Sequence, residues 1–247
     1  MVQYIELEKK YDPNGGKAMW FIDYWYIVLV LPAIILAMVA QFKVKSTYEK
    51  YSREYSSRGY SAATVARMIL DRNGLHDVRI ERVSGQLTDH FDPKQNVVRL
   101  SDSVHDSSSV AAIGVAAHEV GHAIQHAEAY APIKLRTAII PVTNFGAGLS
   151  PVLLLLGFWL GSDPLVAFGI ALYSTMALFQ LVTLPVEFNA SARALRTLEG
   201  DAILTSGEVD SAKKVLTAAA MTYVAALIVS LANILRLLLL FSGRRRD

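Results

Sequence analysis

Four long uncharged stretches divide the chain into alternating apolar and polar segments. Each has about the 18–20 residues that a helix needs to cross a hydrocarbon core of about 30 Å. Charged residues or a proline bound every one of them. The pattern therefore predicts four transmembrane helices, at 24–42, 137–162, 165–186 and 215–235, the last with an apolar continuation to Phe241.

Two alternatives apply to these windows. Only a short turn, 161–164, separates the second window from the third, so a re-entrant hairpin or a pair of buried core helices stays open. The first window follows residues of mixed charge, 1–23, and is longer than the apolar region of a typical signal peptide. This favours an uncleaved signal anchor, and the aromatic run 24–26 at its start suits a membrane interface.

The polar segment 43–136 carries the signals of a small α+β unit. Ser61 is placed to cap a helix that Asn73 and Gly74 end. A later helix begins near Val110, after a run of serines that supply capping groups. Between these helices, alternation and turn residues predict three short strands, at 78–83, 86–91 and 97–101.

Composition supports a membrane protein and excludes several kinds of site. Hydrophobic residues make up 53% of the chain and the mean hydropathy is +0.32, which is high for a soluble domain. A formal net charge of +2 gives no reason to expect nucleic acid as a partner. The chain has no cysteine, so disulfides, thiolate zinc sites and cysteine nucleophiles are excluded.

The helix predicted from Val110 carries the motif H-E-x-x-H within AAHEVGHAIQH, residues 116–126. His118 and His122 are four residues apart, so both imidazoles lie on one helix face and can bind one zinc ion. Glu119 is offset by about 100° and reaches a water molecule without being a ligand. Zinc lowers the pKa of such a water, and Glu119 then acts as the general base of peptide hydrolysis.

His126 repeats the four-residue spacing but does not fit the same ion. On a straight helix it lies about 12 Å beyond His118, whereas Zn–N bonds are about 2.0–2.1 Å. No glycine or proline follows His122 immediately to break the helix. We expect His126 at the surface or at the rim of the site, so another residue must complete the coordination.

The number of membrane crossings decides which segments lie on the same side of the bilayer, and this limits where the third ligand lies. Four crossings place segments 43–136 and 187–214 on one side of the membrane, and both termini and Asp163 on the other. Glu187 stands where the third window ends, and a carboxylate there is costly unless it is paired or bound to metal. This predicts Glu187 as the third ligand of a His₂Glu site. The alternative is a glutamate whose head group reaches water at the interface.

At this point the sequence resembles the gluzincin-type membrane zinc peptidases, in particular the bacterial neutral zinc metallopeptidase family. The shared segments are the anchor helix, DPKQNVVRLS, VAAHEVGHAIQ, a hydrophobic pair and VEFNASARAL, which together cover nearly the whole chain. The resemblance implies a mainly α membrane protein whose α+β part is a zincin-like domain with a small sheet. It also implies Zn²⁺ bound by His118, His122 and Glu187, with Glu119 as the base.

Three details of the site stay open. Related gluzincins often have Asp four residues after the ligand Glu, where this chain has Ser191, whose hydroxyl accepts a hydrogen bond without the charge of a carboxylate. No donor for the oxyanion stands out, and Tyr130 and Tyr223 are the candidates. The strand 97–101 is a candidate edge for substrate binding, with an ordinary internal strand as the alternative.

These signals predict a membrane-anchored zinc endopeptidase acting on polypeptides, with membrane proteins among the candidate substrates. An intramembrane, site-2-type zinc protease and a non-catalytic metal-binding scaffold are the alternatives. More Lys and Arg flank the catalytic side, which places it in the cytoplasm at a bacterial plasma membrane. The predicted divisions are a tail 1–23, a span 24–42, a peptidase segment 43–136, two spans within 137–186, a third-ligand segment 187–214, a span 215–241 and a basic tail 242–247.

Overall fold

The computed structural model describes residues 23–244, so most of the predicted N-terminal tail and the last three residues of the basic tail lie outside the described residues. The described chain is mostly helical, with one small sheet. A π-helical turn, Tyr26–Val30, leads into the first helix. The elements are α1 (Leu31–Tyr51), α2 (Ala62–Arg72), β1 (Arg79–Val83), β2 (His90–Asp92), β3 (Val97–Ser101), α3 (Val110–Ala127), α4 (Ala131–Leu160), α5 (Asp163–Gly200) and α6 (Ser206–Arg244).

Four helices are long and apolar enough to cross a membrane: α1 with its π-helical turn, α4, α5 and α6. Between 11% and 22% of their most apolar windows is buried inside the protein, so these are not core helices of a soluble domain. The prediction of four spanning helices is confirmed at this level. The 38 residues of α5 and 39 of α6 make each about 57–58 Å long, well beyond the hydrocarbon thickness. Both therefore continue into the polar part of the molecule.

Small residues bring α4 and α5 together as a tight hairpin. A Cβ added at Gly146 or Gly157 would meet backbone of the facing helix at 2.8 Å. The Ser150 hydroxyl donates to the Gly169 carbonyl across the pair at 2.9 Å. Gly161, at φ +71°, ends α4 in the left-handed conformation that favours glycine. Helix packing in a membrane depends on such close approach and on hydrogen bonds between helices.

The sheet has the order β1-β3-β2, with β1 parallel and β2 antiparallel to β3. Because β3 is paired on both sides, the strand 97–101 is internal, and the suggestion that it offers an edge to substrate is wrong. The free edge beside α3 belongs to β2. This strand is shorter than the sequence predicts, since the preceding loop contains Gly85 and Leu87 at positive φ.

Helix α3 lies at the centre of the polar part, between α2, the sheet, α5 and α6. The Ser109 hydroxyl caps it by accepting from the Ala112 amide. Gly121 allows α3 to approach α5 closely, because a Cβ there would lie 2.8 Å from the Ala190 carbonyl oxygen. This contact sets the motif histidines against α5.

At the end of the helix bundle opposite to α3, an ion pair joins the first and last spans. The Arg236 Nε donates to Asp23 Oδ2 at 2.7 Å, and both side chains are nearly buried. Asp23 Oδ1 also accepts from the Tyr26 amide at 2.9 Å. The pair explains how a charged residue is tolerated within the apolar length of α6.

Candidate metal centre

The two motif histidines and Glu187 meet in one place. Glu187 Oε2 lies 3.3 Å from His118 Nε2 and 3.5 Å from His122 Nε2. A potential ligand atom of each side chain lies within 4.8 Å of those of the other two. Among the described residues, this is the one such group of three or more His, Asp or Glu side chains. Helices α3 and α5 thus bring together the three ligands predicted from the sequence.

The donor set fits zinc in both chemistry and spacing. Two imidazoles and one carboxylate are a common protein ligand set of catalytic zinc, which keeps a fourth position open. Ligand atoms bonded at about 2.0–2.1 Å in a tetrahedron are about 3.3–3.4 Å apart. The distances from Glu187 to the two imidazoles, 3.3 and 3.5 Å, match this spacing.

The electrostatics of the site favour positive charge. Burial lowers the pKa of His122, but its hydrogen bond to Glu187 and the charges of Glu119 and Glu187 together raise that pKa above its usual value. Glu187 itself is only 3% exposed. A buried carboxylate requires a cation or hydrogen-bond donors around it, which is what a metal ion or protonated imidazoles supply.

His118 is oriented by Ser191. Its Nδ1 lies 3.1 Å from the Ser191 hydroxyl oxygen, and Ser191 is one helical turn beyond Glu187 on α5. When Nε2 faces a metal, Nδ1 carries the proton and donates it to this oxygen. The serine hydroxyl is therefore the partner that orients the His118 imidazole.

His122 is oriented by Gln125, a residue that sequence reasoning missed. Gln125 Oε1 lies 3.0 Å from His122 Nδ1, and its Nε2 donates to the Val186 carbonyl at 2.8 Å and to Asn189 Oδ1 at 3.0 Å. The side chain is fully buried. Its position three residues after His122 on the motif helix is the signal that could have revealed it.

Arg136 contacts the other oxygen of Glu187. Its Nη1 lies 3.6 Å from Glu187 Oε1, while Oε2 faces the imidazoles. The guanidinium also stacks 6.0 Å from the Phe179 ring centroid. This arrangement directs one carboxylate oxygen toward the metal position and the other toward a cation. The sequence shows Arg136 only as the charged residue that precedes a span.

Glu119 lines a cavity of about 280 Å³ beside the three candidate ligands. Its side chain is buried, and Oε2 accepts a hydrogen bond from the Phe91 amide of the edge strand β2 at 3.1 Å. This cavity, the metal-site cavity, is lined by Gln41, Val44, Leu87, Asp89, Val115, His118, Glu119, Glu187, Ser191, Leu216, Ala219, Ala220, Thr222 and Tyr223.

The two tyrosines considered as oxyanion donors have different positions. Tyr223 lines the metal-site cavity from α6, close enough to Glu187 for their side chains to interact. Tyr130 instead packs its ring 6.0 Å from the Arg193 guanidinium, and it is not among the residues that line the cavity. His126 is exposed, outside the ligand group, with its ring 5.8 Å from that of Phe91.

Comparison with known proteins agrees with this geometry. A family model described as "Putative neutral zinc metallopeptidase" matches residues 26–242. The chain belongs to this family. The match includes all four candidate spans almost completely, together with the motif helix and Glu187.

A similar protein is "Putative membrane protease YugP" of Bacillus subtilis (strain 168). It is 50% identical over 222 residues, which cover 90% of this chain and 99% of that protein. No solved structure matches the chain. With the four apolar helices, these relationships make the chain a membrane protein of a zinc metallopeptidase family.

Asp89 supports the wall of the cavity next to Glu119. Its carboxylate accepts from the Ser101 amide at 2.7 Å and from the Ser101 hydroxyl at 3.0 Å. Burial raises the pKa of Asp89 despite these hydrogen bonds, and the Glu119 charge raises it further. Because Ser101 occupies both carboxylate oxygens, Asp89 fixes the loop before β2 onto the sheet.

Proposed function

We propose that this protein is a membrane-anchored zinc-dependent endopeptidase with a zincin-like catalytic unit. The supporting observation is that His118, His122 and Glu187 converge at zinc-ligand spacing, with Glu119 lining the same cavity as His118 and Glu187. The catalytic unit combines segments 43–136 and 187–214. Its substrate is a polypeptide, and the excess of Lys and Arg near this unit assigns it to the cytoplasmic side.

His118, His122 and Glu187 hold the metal, and Ser191 and Gln125 keep the two imidazoles in the required tautomer. Bound zinc supplies a Lewis acid that polarises the scissile carbonyl and lowers the pKa of a water molecule.

Glu119 carries the proton during hydrolysis. It accepts a proton from the attacking water as the C–O bond forms at the carbonyl carbon, and it delivers a proton to the amine nitrogen as the C–N bond breaks. The Phe91 amide holds its carboxylate in place from β2. Such a base must lie within about 2.6–3.2 Å of the proton it takes, so this anchoring contributes to the rate.

Tyr223 stabilises the negative charge that develops on the carbonyl oxygen. An unperturbed phenol has a pKa of about 10, so it is a neutral hydrogen-bond donor at pH 7. Its position in the cavity beside Glu187 suits a donor to this oxygen, whereas Tyr130 lies against Arg193.

The enclosure of α3 supports this assignment over an intramembrane protease. Helix α3 is not one of the candidate spans of the described chain, and it packs against α2, β2 and β3 as well as α5 and α6. An intact Glu119 beside the ligands supports an enzyme over a metal-binding scaffold, because a structural site needs no base.

The test compares wild type with Glu119→Gln, both reconstituted with zinc. The amide keeps the size of the side chain but does not take up the proton. We expect unchanged zinc content and a loss of peptide hydrolysis on the order of 10²–10⁴-fold. Unfolded and membrane-derived polypeptides serve as substrates, with a chelator control. Equal cleavage by both proteins contradicts the base assignment, and a zinc-loaded wild type that cleaves nothing supports the scaffold.

A further inference from the structure

The depth of the metal-site cavity can be read along α6. The uncharged run of this helix lies between Lys214 and Arg236. Leu216 and Tyr223 both line the cavity, at about 3 Å and about 14 Å from Lys214 along the helix axis. The cavity wall therefore begins at the charged boundary of the span and descends to almost half of a hydrocarbon core of about 30 Å.

The other three spans place the site at the same level. On α1, Gln41 and Val44 line the cavity on either side of Lys43, the first charge after the apolar window. On α4, Arg136 is the last charge before the uncharged run and contacts Glu187. Glu187 is itself the first charge after the uncharged run of α5. All four helices thus bring the end of an apolar run to the metal centre.

The Asp23–Arg236 ion pair gives a second reference point for the depth of the metal-site cavity in the bilayer. Asp23 directly precedes the apolar run of the first span, and Arg236 directly follows the uncharged run of α6. Arg236 is about 30 Å from Leu216 along α6, which is the thickness of the hydrocarbon core. The ion pair therefore marks one face of the bilayer, and the mouth of the cavity lies at the other face.

The cavity has an apolar stretch of wall on α6 and polar side chains on α3. On α6, Leu216, Ala219 and Ala220 form the apolar stretch, and the hydroxyl-bearing Thr222 and Tyr223 follow them. The α3 side presents His118 and Glu119. A polypeptide that leaves a bilayer offers surfaces of both kinds, since apolar residues of its span are followed by polar ones.

We propose that the substrate is a polypeptide inserted in the same bilayer, cut where its transmembrane helix ends. This inference rests on the proposed peptidase function and narrows its substrate class. The wall descends about 14 Å along α6, and an extended residue spans about 3.3 Å. The scissile bond therefore lies within about four residues of the substrate's span.

Three substrates with one randomised cleavage cassette test the depth. In the first the cassette directly follows a transmembrane helix, in the second a flexible linker of about 20 residues separates the two, and the third is the free peptide. Wild type and substrates are reconstituted in nanodiscs, and products are measured by mass spectrometry. We expect the first to be cleaved at least about tenfold faster than the other two.

Equal cleavage of the long-linker substrate and the directly attached one overturns the depth argument, because tethering alone then explains the gain. Equal or faster cleavage of the free peptide also overturns it, while leaving the proposed peptidase function intact. If zinc-loaded wild type cleaves none of the three, the peptidase function itself fails.

Cross-linking reports on binding without turnover. The chain has no cysteine, so Ala219→Cys in a Glu119→Gln background provides one thiol on the apolar wall. Thr217→Cys is the matched control, since Thr217 is exposed near the same level of α6 and does not line the cavity. A bismaleimide should link Ala219→Cys, and not Thr217→Cys, to a cysteine in the directly attached cassette. No linkage, or equal linkage of the two, contradicts the proposal.

Discussion

The Nδ1 atom of His118 lies 3.1 Å from the hydroxyl oxygen of Ser191, which connects the first motif histidine on α3 to the helix that carries Glu187. A neutral hydroxyl at this position gives the imidazole an orienting partner without adding negative charge. Glu119 and Glu187 already bring two carboxylates close to the histidines, and Ser191 adds no third carboxylate beside His118.

Ser191→Ala should weaken zinc binding by about tenfold or more, because loss of a group that orients a metal-binding histidine typically costs 10–100-fold in affinity. Competitive titration against a chromophoric chelator measures this. Ser230→Ala is the control, since the Ser230 hydroxyl bonds to a carbonyl of its own helix. Unchanged affinity in Ser191→Ala shows that the 3.1 Å contact contributes nothing to metal binding.

Glu187→Ala should remove most of the zinc, because one of three ligands and the buried negative charge are lost together. Metal analysis of purified protein measures the zinc content per chain. Glu199→Ala serves as the control, because Glu199 is an exposed residue of the same helix and lies outside the ligand group. Full zinc occupancy in Glu187→Ala contradicts the assignment of the third ligand.

Tyr223→Phe should reduce kcat by about 10²–10³-fold with a smaller change in KM, as expected for a donor that acts in the transition state. Zinc content should stay the same, since Tyr223 is not proposed as a ligand. Tyr130→Phe should be nearly neutral. If KM rises while kcat stays constant, Tyr223 contributes only to substrate binding.

Single cysteines in this cysteine-free chain test the membrane topology. Ser57→Cys and Ser206→Cys should react on the same face, because the Ser57 amide donates to Glu208 near the start of α6. Ser162→Cys, in the turn between α4 and α5, should react on the opposite face. Labelling of intact and permeabilised cells with an impermeant maleimide measures this, and labelling of Ser57→Cys in intact cells refutes the cytoplasmic assignment.

The features predicted correctly from the sequence are those that local physics determines. Uninterrupted apolar windows predicted the four spans, because a bilayer excludes charged side chains from long stretches of helix. Helical spacing placed His118 and His122 on one face. Glu187 was predicted from the count of membrane crossings and from the cost of burying a carboxylate. The structure brings it to those histidines.

The features that were missed depend on residues distant in sequence. Gln125 and its bonding partner Val186 are 61 residues apart, so no local pattern reveals their contact. Arg136 approaches Glu187 only because α4 and α5 form a hairpin. The strand 97–101 was considered as an edge because strand order within the sheet does not follow chain order.

The ion pair between Asp23 and Arg236 also constrains biosynthesis. The two residues are 213 positions apart. At about 5–20 residues per second, the ribosome reaches Arg236 about 10–40 s after Asp23. The first span therefore enters the membrane before its partner charge exists, and a chain that stops before the last helix retains an aspartate without this arginine. Completion of the pair thus distinguishes a full-length, assembled chain from one that lacks its last helix.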